Sequence, residues 1–219
     1  MPGPRTSITT LLFDWDGTVV DSAQLGLRAF EQSFAELGCI FDHDVYRSVY
    51  SPNWYLVYEA MGLPKEQWQR ADDLWLQHYG EQTAKPITGA AETIRELKRA
   101  GYNLGVVSSG SECRVVREAS EAGLDNYFDV MVCNEQMENK KPHPEGLETA
   151  MRLLGSTPES SGYVGDSPDD IEMGKRANML TVGVRSDYPT SWKLESQNPD
   201  IFIESLTELL NHFQVSLRD

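Results

Sequence analysis

Residues Gly162–Val184 read GYVGDSPDDIEMGKRANMLTVGV, and the fold turns on how this stretch is parsed. GYVGDS is a short apolar run closed by an acid, which reads as a buried strand ending at Asp166. DDIEMGKRAN has helical texture, and Ser167, Pro168 and the two acids suit a first helical turn. LTVGV is β-branched and apolar, again a buried strand. A strand, a helix and a strand in direct succession form a crossover unit, and such units build a parallel sheet.

The same alternation runs upstream. GAAETIRELKRAG is a helix and YNLGVVSSG a strand; SECRVVREASEAG is a helix and FDVMVC a strand; EGLETAMRLLG is a helix that follows KKPHP. Near the start, Ile8 to Phe13 reads as a short buried strand closed by a DWDGT turn. A helix follows, with Ser22 as N-cap, Leu27, Phe30, Phe34 and Leu37 at helical spacing, and Gly38 as its stop. From there to about Lys85 the pattern stays helical, with Trp68, Ala71, Trp75 and Tyr79 on one stripe. Pro189 to Pro199 reads as an irregular surface segment, and SLTELLNHF as a last helix. These readings predict an α/β core, residues 1–19 and 86–219, carrying an all-helical insert over residues 20–85. An insert at that point stands over the carboxyl edge of the sheet, where open α/β folds bind ligands, so it is a candidate lid.

Composition narrows the function. The 219 residues are two-fifths apolar, enough for a substantial core, and carry a formal net charge of −15. That charge speaks against a nucleic-acid backbone or an anionic membrane as partner. Cys39, Cys113 and Cys133 are odd in number and widely spaced, which fits reduced thiols in a cytoplasmic protein. The start, MPGPRTSITT, lacks a signal-peptide run, and no segment approaches the roughly 18 apolar residues of a membrane span.

Four places carry chemistry. In LLFDWDGTVVDS, Asp14 and Asp16 share a face if the strand continues through them, and Trp15 points the other way. The pair is a solvated acidic turn or a cation site, since adjacent carboxylates repel and a divalent cation relieves them. Asp166, Asp169 and Asp170 form a second acidic group, which reads either as helix capping or as further cation ligands. Parallel strands end on one edge, so Asp166 can meet Asp14 and Asp16; oxygen ligands favour Mg²⁺. Ser108 and Ser109 close an apolar strand before a helix, as turn residues or as an anion cradle. Lys141 precedes a proline near the same edge and can neutralise a phosphoryl group, whereas Lys140 reads as a surface charge.

In this order the four resemble the motifs of the haloacid dehalogenase-like (HAD) superfamily: DWDGT, Ser108 after an apolar strand, Lys141 before a proline, and GDSPDD. The resemblance spans nearly the whole chain. The helical insert is similar to the cap of the phosphoglycolate phosphatase and β-phosphoglucomutase-like branch. It implies a Rossmann-like three-layer core and a Mg²⁺-dependent phosphatase acting on a small phosphorylated metabolite. By the same resemblance Asp14 is the nucleophile that becomes an aspartyl phosphate, and Asp16 is the acid and base. Ser108, with Ser109, binds the phosphoryl group, and Lys141 positions and neutralises it. Asp14, Asp166 and the main-chain carbonyl of Asp16 bind the metal. Asp170 supports the site through water or a neighbour, and Asp169 is a weaker candidate. Dehalogenases of the family lack an acid at the position of Asp16, so its presence favours phosphoryl transfer.

Two further readings stay open: a sugar phosphomutase with the same intermediate, and a non-catalytic binding module that kept the fold. Trp54, Tyr55, Trp68 and Trp75 read as lid core ahead of substrate contacts. SPNW, with Pro52, Asn53 and Trp54, is irregular enough to reach the site. His43, His78, His143 and His212 form no ligand-like spacing, and oligomeric state is not legible.

Overall fold

The computed structural model describes residues 8–80 and 82–213; the expectations for 1–7, 81 and 214–219 lie outside the described residues. Six parallel strands form the central sheet: β1 (Thr10–Phe13), β4 (Asn103–Val107), β5 (Val130–Val132), β6 (Ser161–Gly165), β7 (Leu180–Val184) and β8 (Ile201–Ile203). They lie in the order β5-β4-β1-β6-β7-β8. The chain builds outward from β1 first to one side and then to the other. Beside β1 the strand order therefore reverses, and a crevice opens beyond the carboxyl ends there. The register puts Phe13 beside Val106 and Val164, so Asp14, Ser108 and Asp166 leave the sheet at nearly one level.

The strands are apolar on both faces because helices cover both. Phe13, Val106 and Val164 pack in one core cluster with residues such as Ile94, Leu97, Val115 and Leu209. These come from α5 (Ala90–Arg99), α6 (Glu112–Glu121) and the short α9 (Leu209–His212). Leu12, Val107 and Tyr163 pack on the other face against Leu147, Ala150 and Met173. These belong to α7 (Glu145–Leu154) and α8 (Pro168–Arg176). Three layers result, as the alternation of strands and helices predicts.

Between Val20 and Pro86 the described residues form four α-helices: α1 (Ala23–Glu36), α2 (His43–Val49), α3 (Tyr55–Ala60) and α4 (Trp68–Tyr79). They share a separate cluster built on Phe30, Phe34, Tyr46, Val57, Tyr58, Leu63 and Ala71. The chain enters this bundle through β2 (Val20–Asp21) and returns through β3 (Lys85–Pro86), which pair antiparallel. Bundle and sheet touch where Tyr50 stacks on Tyr188 at 5.0 Å and Ser51 Oγ donates to Asp169 Oδ2 at 2.5 Å.

Several local expectations need correction. β1 stops at Phe13, and Asp14 to Val19 form a turn rather than a continued strand. Ser22 stands at the N-cap of α1 without capping it; its hydroxyl is turned to Asp16 and Tyr188 instead. Asp21, the residue before Ser22, lies exposed in β2. β2, β3 and β8 are absent from the sequence reading. Two or three residues are too few to show alternation, and β8 follows directly on the segment read as irregular.

Candidate active site

The turn after β1 delivers the first two acids differently. Asp14 is buried, and its main-chain N–H donates to Val164 O on β6 at 2.8 Å, which fixes it to the sheet edge. Lys141, fully buried in the loop before α7, donates from Nζ to Asp14 Oδ1 at 2.6 Å and Asp170 Oδ1 at 2.7 Å. Burial alone would lower the ammonium pKa, but the two carboxylates outweigh it and push it well above the ordinary lysine value. Burial pushes the Asp14 carboxyl up to about 7, with Lys141 opposing and Asp170 and Asp16 adding to the rise.

Asp166, directly after β6, accepts from Ser186 Oγ at 2.6 Å and Thr18 Oγ1 at 3.4 Å. Hydroxyls do not cancel its charge. Burial, then Asp14 and Asp170, push its carboxyl well above the usual range. Asp170 is the better compensated acid. Burial would raise it, but Lys141 outweighs burial, and Ser167 and Tyr163 add hydrogen bonds, so its carboxyl is held below the ordinary value. Ser167 in turn caps α8 by accepting from Asp170 N at 3.2 Å, so capping and site chemistry share one residue pair. Carboxylate oxygens of Asp14, Asp166 and Asp170 lie within 4.8 Å of one another. An all-oxygen set with more negative charge than Lys141 cancels fits a hard divalent cation. Asp169 faces away from this group and accepts from Ser51 of the helical bundle.

Asp16 faces elsewhere. Its carboxylate takes a fork from Arg114, Nη1 to Oδ1 at 2.8 Å and Nη2 to Oδ2 at 2.6 Å, and a third bond from Ser22 Oγ at 2.6 Å. Burial would raise its pKa, but the guanidinium outweighs burial and holds the carboxyl below its ordinary range. Arg114 Nη1 also donates to the fully buried Glu118 at 3.1 Å, and Glu118 accepts from Trp15 Nε1 and Tyr79 Oη at 2.8 Å each. The sequence reading passed over Arg114 and Glu118. Their signal was a charged pair four residues apart on α6, interleaved with Val115 and Ala119 on the face turned to the core.

The serines divide. Ser108 is fully buried, and its Oγ accepts from Gly110 N at 2.9 Å, which shapes the turn. Ser109 lines the cavity above Asp14, and its hydroxyl is screened from solvent with no partner among the described residues. A hydroxyl left unpaired at the mouth of a turn is suited to an anion.

Asp14, Asp16, Ser109, Arg114 and Asp166 line a cavity of about 300 Å³ that the helical bundle also lines. Pro52, Trp54, Tyr55 and Trp75 line it, while Trp68 stacks behind Tyr55 at 4.8 Å. Trp54, Tyr55 and Trp75 therefore serve both bundle packing and cavity wall, which amends their reading as lid core.

The model of the haloacid dehalogenase-like hydrolase family matches residues 11–184. Pyrophosphatase PpaX of Listeria monocytogenes is 32% identical over 207 residues, covering 93% of this chain and 95% of that protein. Among solved structures, a predicted phosphoglycolate phosphatase from Haemophilus somnus superposes with a TM-score of 0.83 at 21% identity, over 96% of this chain and 100% of that one. The β-phosphoglucomutase of Clostridium difficile gives 0.77 at 20% identity, over 92% and 93%. Ordered motifs, sheet topology and these matches agree: the chain belongs to the haloacid dehalogenase-like hydrolases, with the fold of their phosphoglycolate phosphatase and β-phosphoglucomutase branch.

Proposed function

We propose that the chain is a Mg²⁺-dependent phosphatase that hydrolyses a small phosphate monoester through an aspartyl phosphate. The observation that carries this reading is the buried Asp14 carboxylate at the cavity, 2.6 Å from the Lys141 ammonium, with Ser109 lining the same cavity. An Asp14 oxygen attacks phosphorus, the bond from phosphorus to the ester oxygen breaks, and the departing alkoxide takes a proton from Asp16. Water then attacks the aspartyl phosphate, gives a proton to Asp16, and leaves Asp14 and inorganic phosphate. Because Asp16 rests as a carboxylate in the Arg114 fork, acid catalysis requires it to leave that fork and take up a proton from solvent before it meets the ester oxygen. Lys141 balances charge on Asp14 and the phosphoryl group, and Asp170 orients Lys141. Ser109, with the turn shaped by Ser108, binds phosphoryl oxygens. Mg²⁺, held by Asp14, Asp166 and the main-chain carbonyl of Asp16, supplies neutralisation of phosphoryl charge.

Residues 20–85 serve as the lid over a core of 1–19 and 86–219. The Tyr50–Tyr188 stack and the Ser51–Asp169 bond support closure. Unpaired Cys39, Cys113 and Cys133 support a reducing, cytoplasmic setting.

The test is phosphate release from p-nitrophenyl phosphate and a panel of sugar phosphates, phosphoglycolate and pyrophosphate, with Mg²⁺ varied. Wild type is expected to release phosphate only with the metal, and Asp14→Asn to lose activity on the order of 10⁴-fold or more. Isomerisation of a sugar phosphate without net phosphate release would refute the phosphatase in favour of a mutase. Equal inactivity of wild type and Asp14→Asn would favour a binding module.

A further inference from the structure

The cavity wall opposite Asp14 is the wrong surface for a second anion. Phe30, Tyr46, Tyr50, Trp54, Tyr58 and Trp75 line it, and an aromatic face is negative and draws cations. Among them lies Asp72, whose Oδ1 accepts from Trp54 Nε1 at 2.7 Å and Tyr58 Oη at 3.1 Å, and whose Oδ2 accepts from Tyr55 Oη at 3.1 Å. Three donors from three rings fix this carboxylate in the wall, and Oδ2 keeps acceptor capacity.

Charge on this side of the cavity is one-sided. Asp72, Asp73 and Glu135 line it beside the acids of the reaction, and Arg114 is the single cation among the described lining residues. Arg114 is committed to Asp16 and Glu118. The chain itself shows the preference of these rings. Lys140 Nζ sits 4.0 Å from the Trp54 ring and 4.9 Å from the Tyr55 ring, and the Arg114 guanidinium 4.9 Å from that of Tyr79. A pyrophosphate or phosphoglycolate tail would meet rings and Asp72, while Lys140 lies outside the lining, bonded to Asn134 over the Trp54 ring, and Arg114 is held by Glu118 as well as Asp16.

We propose that the substrate is a phosphate monoester whose alcohol carries an ammonium group. The phosphoryl end sits on Asp14, and the cation rests on the aromatic wall beside Asp72. This rests on the phosphatase reading and names the leaving alcohol that the reading leaves open. The reaction is hydrolysis of the ester bond: water is consumed, and inorganic phosphate and the amino or quaternary ammonium alcohol are released.

The test compares 2-(trimethylammonio)ethyl phosphate with its uncharged carbon isostere, 3,3-dimethylbutyl phosphate, on the full chain with Mg²⁺, using p-nitrophenyl phosphate as control. Shape is matched, so the ratio of kcat/KM reads the charge, with about tenfold or more in favour of the ammonium ester expected, and the variants, facing the same two leaving groups, isolate the share that the wall supplies. Asp72→Asn and Trp54→Leu are each expected to bring that ratio toward one. A ratio stays interpretable when a variant loses absolute rate. Turnover of the control with a wild-type ratio of one or below, or faster turnover of pyrophosphate or phosphoglycolate, overturns the ammonium proposal and leaves the phosphatase standing. An unchanged ratio in both variants also overturns it. No phosphate from any ester, the control included, overturns both.

Discussion

Arg114 binds two acids from different parts of the chain, the partly exposed Asp16 and the fully buried Glu118, while its guanidinium lies over the Tyr79 ring. Breaking a buried ion pair by removing one partner costs about 3–5 kcal/mol, because the remaining charge has no water to replace it. Arg114→Met is expected to lose stability in that range, measured by urea unfolding. The sign of its pH dependence follows from the acids left behind. Without Arg114, Asp16 and Glu118 have folded pKa values above their unfolded ones. The deficit is then small at pH values below the carboxylate range and grows as pH rises through it. A deficit independent of pH would show that Arg114 acts by packing alone. That Asp14 stands at the sheet edge was legible at this scale, because the strand before it fixes where it leaves the sheet. Arg114 was not, since an arginine in an amphipathic helix shows its partner only once the helix is docked.

At the scale of elements, the turn after β1 sets the site. Gly17 has φ +80, and a Cβ there would fall 2.4 Å from Asp166 Oδ2 and 2.6 Å from the Tyr188 ring. Gly17→Ala is therefore expected to cost about 1–3 kcal/mol through backbone strain, and more through contact with Asp166. Phosphate release and the urea midpoint should fall together; full activity in the alanine variant would mean that the turn has room to relax. Reading this glycine as a backbone requirement was possible from DWDGT. That Asp16 turns away from Asp14 was not, because a turn has no fixed period to project from. The bundle helices were likewise visible in their apolar stripes. Which of their aromatics also face the cavity depended on how α1 and α4 meet, with Phe30 and Trp75 ring centroids 5.9 Å apart.

For the whole molecule, the consequence of gathering acids from β1 and β6 at one edge is stored repulsion, which Lys141 relieves only in part. Any ion that binds this folded cluster and not the unfolded chain stabilises it by mass action, about 2.7 kcal/mol at a hundredfold excess over Kd. Mg²⁺ is expected to raise the thermal midpoint by roughly 5–10 °C, reversibly with chelator, and Asp166→Asn to abolish the shift. An unchanged midpoint with millimolar Mg²⁺ would refute the metal site without reference to activity. The acidic overall charge adds nothing to this, since no more than local geometry brings the three carboxylates together. No helix among the described residues is long and apolar enough to cross a membrane. By itself the sequence determined the alternating α/β core, the helical insert after the first strand, and the order of the four motifs along the chain. These follow from periodicity and chain direction, which are local. Only the tertiary structure decided that Arg114 holds Asp16, that Ser109 rather than Ser108 lines the cavity, and that aromatic residues and Asp72 line the same cavity as Asp14. Each of those depends on contacts between residues far apart in the chain, and contacts of that kind leave no period to read.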